Sequence, residues 1–357
     1  MVFGTSTIKL TEEQRRMYTA EQLDNFRWIF QVLASRSPVA LTSTDVVHPE
    51  VKVEIEAAGQ FAELVYSGLP LQLLLDNYEP LSLKGFPLEG YHLLREATLI
   101  DSFSGTVANL PVAIFSLPSR KQTIIAISGT SNLGHAVQDL RVAKVPHPSG
   151  KGMAHTGFLS LYLGLKSQVK SVLEANDITE LVLTGHSMGG AVAYLLCIDI
   201  LSEGHFTFKS PPVIKLVTFG LPRVGDSTLV FHFRGLADQY RDKHGWDSFS
   251  EYSVRAFNDG VPTLPPQWLG YRHFPKHPIY STGDQLYIVP ESECEYALFH
   301  TNVDGDEDKA PCFPRGGHNY YNGRELERLL RRITWLEKAN VSNEGWENRY
   351  KLIMEKA

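Results

Sequence analysis

The hexapeptide Gly185-His186-Ser187-Met188-Gly189-Gly190 constrains this chain more than any other feature. It follows the apolar run Leu181-Val182-Leu183 and opens onto an apolar stretch from Gly190 to Leu201. A serine between glycines at a strand-to-helix junction implies a sharp, strained turn, because side chains at the flanking positions would collide with neighbouring backbone. The helix that follows then aims its first N–H groups at the serine. The same residues also fit a glycine-rich turn with an incidental serine. A phosphate-binding loop would end in Gly-Lys followed by Ser or Thr, which is absent here.

The texture around this turn separates three segments. Residues 1–97 read as a mostly helical extension packing on the rest. Thr11 to Gln14 and Thr19 to Gln22 have capping-box form, Phe26, Ile29, Phe30 and Leu33 line one helix face, and a further helix is expected from Val51 to Tyr66. Residues 98–340 alternate between strand and helix patterns. Val112 to Phe115 and Thr123 to Ile127 read as a hairpin, Phe158 to Glu174 as one helix, and Val213 to Phe219, Tyr252 to Phe257 and Leu286 to Val289 as strands. Arg324 to Leu336 closes the pattern with an amphipathic helix, and residues 341–357 read as a tail. Such alternation points to an α/β fold with a mostly parallel central sheet flanked by helices.

A serine hydroxyl becomes a nucleophile only beside a base that a carboxylate orients. Asp259 follows the strand ending at Phe257, and it reads equally well as that acid or as a turn residue in Asn258-Asp259-Gly260. Of 13 histidines, His318 stands in the Gly316-Gly317-His318 loop before the last helix, a suitable mount for a base. His273 and His277 are its rivals, and packing or surface roles suit them better. His186 reads as a spacer and His155 as a structural partner of the turn.

At these residues the chain resembles the class 3 (fungal-type) lipase family. The segments that carry the likeness occur in order: Ile127-Ser128-Gly129-Thr130-Ser131, His155-Thr156-Gly157-Phe158, the serine turn, Thr218 to Gly225, Asn258 to Pro265, and His318-Asn319-Tyr320-Tyr321. Together they cover about residues 98–325. The resemblance implies an α/β-hydrolase fold and a triad of Ser187, Asp259 and His318. It also implies an oxyanion hole built from the N–H groups of Met188 and Thr130, and acyl-enzyme hydrolysis of acylglycerols or similar apolar esters. The family commonly has Arg where Ser128 stands, and often a lid Trp where Ala136 falls. Leu133, Val137 and Leu140 lie at i, i+4 and i+7, the spacing of a short lid helix or of an ordinary surface helix. An esterase on soluble or aromatic esters fits the same pattern. So does a catalytically silent protein that keeps the fold as an interaction module.

Composition narrows the partners. A formal net charge of -6 gives no electrostatic reason to expect nucleic acid. No stretch reaches the 18 or so apolar residues of a membrane span; the partner that the resemblance implies is a lipid or other ester, which an oil–water interface could present. Asp304-Gly305-Asp306-Glu307-Asp308 lacks the later Gly and Glu of a calcium loop, and no zinc spacing is present, so neither metal nor cofactor is expected. The start of the chain has no basic segment leading into an apolar one, which reads as a cytoplasmic setting, or as a secreted one if the chain is a processed form. There Cys294 and Cys312 would stay reduced, although they could pair across a loop.

Overall fold

The computed structural model describes residue 29 and residues 33–129, 143–282, 285–301, 317–321 and 324–356. The strands in chain order are β1 (Arg36–Leu41), β2 (Thr98–Ser104), β3 (Pro111–Leu117), β4 (Gln122–Ile127), β5 (Lys144–Pro146), β6 (Met153–His155) and β7 (Glu180–His186). They continue with β8 (Val213–Phe219), β9 (Gly225–Asp226), β10 (Phe249–Ala256), β11 (Tyr271–Arg272), β12 (Ile279–Thr282), β13 (Gln285–Ile288) and β14 (Leu298–Thr301). Eight of them form a sheet in the order β13-β12-β10-β8-β7-β4-β3-β2. Its middle strands, from β4 through β7, β8 and β10 to β12, run parallel. The edges on both sides are antiparallel. β4 and β7 are nearly continuous apolar runs because both of their faces are covered.

The principal helices are α1 (Pro49–Leu64), α2 (Thr156–Leu163), α3 (Lys166–Ala175), α4 (Met188–Leu201), α5 (Ser227–His244), α6 (Leu326–Ala339) and α7 (Trp346–Lys356). One sheet face carries α1, α6 and α7. Ile55, Phe61, Leu329 and Trp346 share a core there with Phe115, Val182 and Phe219. The other face carries α2, α3, α4 and α5. Helix α4 is buried all round, which is why its sequence has no polar stripe and why Cys197 serves as a small core residue. A smaller antiparallel sheet, in the order β11-β9-β6-β5, flanks the main one.

Several segments differ from the sequence expectation. Phe158 to Glu174 is two helices rather than one, parted at Gly164 and Leu165. The β2–β3 turn docks on that break: Thr106 N–H donates to Gly164 O at 3.0 Å, and a Cβ on Gly164 would meet Val107 Cγ2 at 2.9 Å. The N-terminal segment contains a strand, β1, which pairs in parallel with the distant β14. The expected tail forms α7, held because Phe86 stacks on Tyr350 at 4.7 Å and meets Trp346 edge-on at 6.0 Å. The capping boxes at Thr11 and Thr19 and the acidic loop at Asp304 lie outside the described residues. Cys197 and Cys294 are free thiols, and Cys312, the other half of the expected pair, lies outside the described residues. Among the described residues no helix is long and apolar enough to cross a membrane, and no His, Cys, Asp and Glu group could hold a metal ion.

Candidate active site

Ser187 stands at the end of β7 with φ 58° and ψ −128°, a backbone conformation that costs an L-residue strain and is kept where geometry requires it. Its N–H donates to Phe219 O at 2.8 Å, tying it to the end of β8. The turn closes only because its neighbours lack side chains. A Cβ on Gly185 would lie 2.4 Å from the Gly189 carbonyl carbon, and one on Gly189 would lie 2.1 Å from Ile127 O. Helix α4 starts at Met188, so that residue's N–H has no acceptor within the helix. Thr130 lies just outside the described residues, as do Leu133, Val137 and Leu140. Gly129, immediately before Thr130, is described, and a Cβ there would meet Tyr66 Oη at 2.0 Å.

The loop after β10 brings Asp259 to the same end of the sheet. Asn258, at φ 64°, turns the chain, and its carbonyl accepts from Gly317 N–H at 2.8 Å. This contact carries His318 across to Asp259. His318 Nδ1 lies 3.0 Å from both carboxylate oxygens, and both side chains are buried. Asp259 also accepts from Val261 N–H at 2.9 Å and from the Tyr321 hydroxyl. A carboxylate oxygen accepts, so in this contact the proton lies on Nδ1 of His318. Gly220 borders the pair: a Cβ there would lie 2.8 Å from Asp259 Oδ2 and 3.1 Å from His318 Nδ1. It directly follows Phe219, whose carbonyl holds the Ser187 N–H, so the backbone of Ser187 and the side chains of Asp259 and His318 all adjoin the Phe219–Gly220 corner.

Other residues brace this corner. Arg223 is buried, donates to Thr263 O at 2.7 Å and Pro265 O at 3.2 Å, and pairs with Glu295 at 2.9 Å. It thereby clamps the loop that begins at Asp259. His186 is more than a spacer: its Nδ1 lies 2.8 Å from Tyr66 Oη and its Nε2 2.7 Å from His318 O. Burial, together with the nearby His318, holds its pKa well below the ordinary imidazole range. His155 caps α2, accepting from Phe158 N–H at 3.4 Å, and stacks on Phe158. His273 is buried beside Arg255 and Arg223, with its backbone N–H on Glu295, while His277 is exposed. Tyr66 and Tyr321 were not singled out from sequence. Their hydroxyls acquire meaning only through partners 120 and 62 residues away.

A parallel-centred sheet with a strained serine at the end of a middle strand, followed by an acid and a histidine in that chain order, defines an α/β-hydrolase. Residues 124–268 match the family model described as lipase (class 3). The secreted mono- and diacylglycerol lipase 1 of Fusarium solani is 29% identical over 183 residues, covering 50% of this chain and 49% of that protein. The chloroplastic phospholipase A(1) DAD1 of Arabidopsis thaliana is 25% identical over 236 residues, 51% of each chain. The matches therefore span about half the length of these relatives. A solved triacylglycerol lipase structure superposes with a TM-score of 0.59 at 18% identity, covering 80% of this chain and 98% of that one. Over residues 124–268 this chain is similar to the class 3 lipase family, and its fold is that of the α/β-hydrolases. The Fusarium relative is a secreted protein, which gives the cytoplasmic expectation no support.

Proposed function

We propose that this protein is a serine carboxyl-ester hydrolase, a lipase acting on acylglycerols or similar apolar esters. The observation that carries the reading is the His318–Asp259 pair, with Nδ1 at 3.0 Å from both carboxylate oxygens, set against the strained Ser187 corner. In this reading His318 Nε2 takes the proton of Ser187 Oγ as that oxygen attacks the ester carbonyl. Asp259 holds the imidazole in its tautomer and stabilises the imidazolium. The N–H groups of Met188 and Thr130 receive the developing oxyanion. Collapse of the tetrahedral intermediate expels the alcohol, protonated by His318. Water then repeats the sequence on the acyl-serine and releases the acid. The family's relatives support an apolar ester: one is a mono- and diacylglycerol lipase and another a phospholipase A(1). In the solved triacylglycerol lipase, a serine protease triad forms the catalytic centre.

An oil–water interface suits this site as its meeting place with substrate. Trp268 is 78% exposed on the segment that continues from the Asp259 loop, at the C-terminal end of β10. Trp246, 77% exposed, precedes β10 and so lies at the opposite end of that strand. An indole, apolar with one N–H donor, favours interfaces.

The test is a p-nitrophenyl ester chain-length series beside a triglyceride emulsion. Ser187→Ala is expected to lower turnover by on the order of 10^4-fold. The wild type is expected to jump about 2–10-fold past the substrate's solubility limit. Trp268→Ala should weaken emulsion adsorption and Trp246→Ala should not. Retention of a tenth of wild-type turnover by Ser187→Ala would remove Ser187 as nucleophile. A smooth saturation curve would favour soluble esters, and a wild type inert on every ester would leave the interaction-module reading.

A further inference from the structure

Tyr66 stands two residues past α1, outside the stretch that matches the family model, and its side chain is buried. Its hydroxyl contacts His186 Nδ1 at 2.8 Å, and His186 Nε2 contacts His318 O at 2.7 Å. A backbone carbonyl can only accept, so the proton of His186 sits on Nε2 and the lone pair on Nδ1. The Tyr66 O–H therefore donates to Nδ1. The Gly129 backbone packs against the Tyr66 oxygen. Gly129 approaches so closely that a Cβ on it would lie 2.0 Å from that oxygen. Both bonds run the same way, from the phenol through the imidazole to the His318 carbonyl, with Gly129 packed at the phenol end. Hydrogen bonds in such a series polarise one another in the same sense.

The two ends of the chain are parts whose spacing matters in an acyl-transfer transition state. Gly129 leads into Thr130, the second oxyanion donor, while His318 is the base. They lie far apart in sequence, and the described contacts that join them pass through Tyr66 and His186. We propose that Tyr66 is a positioning residue of this active site, its hydroxyl setting the oxyanion segment in register with the backbone of the base. The proposal rests on the triad reading above. His186 must stay neutral in this role, since its ring centroid is 4.5 Å from that of His318, which becomes an imidazolium during turnover.

The test compares Tyr66→Phe, His186→Gln and the double variant with wild type. Active sites are counted by fluorophosphonate titration of Ser187, so that loss of folded protein is divided out. Tyr66→Phe is expected to lower kcat per titrated site about tenfold with KM changed less than about twofold, as misplacement of reacting groups would. The double variant should be no slower than the slower single variant, because both break one chain. The ring 15N signals of His186 should report a neutral Nε2–H tautomer, and the Nδ1 signal should move in Tyr66→Phe. Turnover per site within about twofold of wild type, fully multiplicative losses, or an Nδ1–H tautomer would each overturn the proposal. If wild type neither hydrolyses esters nor reacts with the fluorophosphonate, the hydrolase reading falls. The nitrogen signals then still decide whether the Tyr66–His186–His318 chain exists.

Discussion

His273 and His318 are both buried, yet their surroundings give them opposite parts. His318 faces a carboxylate through Nδ1, whereas His273 lies among the cations Arg255 and Arg223. Burial, reinforced by those cations, holds the His273 pKa well below the usual range, as burial and His318 do for His186. A histidine in the unfolded chain titrates near 6.5. Below that pH the unfolded chain binds protons that the folded chain refuses, so stability is present above about 6.5 and is lost as pH falls. Each such histidine therefore destabilises the fold increasingly as pH falls below that value. Glu251, pushed up by burial, works in the opposite sense and is common to any comparison of variants. His273→Gln is therefore expected to keep most turnover and to lose less stability than wild type between pH 7 and 5. His318→Ala should lose about as much turnover as Ser187→Ala, because triad members act as a unit. Urea unfolding at the two pH values and ester kinetics check both halves. A turnover loss larger in the His273 variant than in the His318 variant would move the base to His273.

At the scale of elements, α7 shows how a polar-looking segment becomes structure. Its sequence, from Trp346 to Lys356, has few apolar residues, and read alone it suggests a tail. Two of those residues decide otherwise. Trp346 and Tyr350 are buried against Phe86 and Trp335, next to α6. Arg349 fastens the connection by donating to the carbonyls of Ala339, Asn340, Asn343 and Glu344. Removing a buried tryptophan leaves a cavity costing about 3–5 kcal/mol. Trp346→Ala should lower unfolding stability by that order while leaving turnover per titrated site unchanged, since α7 touches none of the proposed catalytic residues. Stability within about 0.5 kcal/mol of wild type, the range of ordinary surface substitutions, would mean that α7 does not pack in solution.

At the scale of the whole molecule, we propose that residues 1–97 and 98–340 form one folding unit rather than a domain with an appendage. Helix α1 covers β4, β7 and β8, and its Ile55, Ala58, Phe61 and Ala62 share a core with Phe115, Ile124, Val182 and Phe219. Its charged side helps as well: Lys215 on β8 bonds Glu54 at 2.6 Å. Without α1 a broad apolar sheet face would be exposed to water, which favours association over folding. A fragment of residues 98–357 is expected to aggregate, or to unfold without a cooperative transition in near-UV circular dichroism. A soluble fragment with a sharp transition would show that the N-terminal segment is dispensable for folding.

The sequence alone determined what depends on neighbours along the chain. The serine turn was legible because the clashes at Gly185 and Gly189 are local backbone sterics, and the central strands and α4 because they are continuous apolar runs. Ser187, Asp259 and His318 could be picked out as an ordered candidate set, Asp259 only with the family resemblance beside it, and folding brings Asp259 and His318 into contact. What tertiary structure decided is what depends on distant partners. The β1–β14 pairing joins Arg36 to Leu298, and the break after α2 exists because the β2–β3 turn docks against Gly164. Tyr66 and Tyr321 are ordinary tyrosines until folding sets one against His186 and the other against Asp259. A hydrogen bond of 2.8 Å carries no trace in a sequence whose two members are 120 residues apart, because no local periodicity or steric rule couples them.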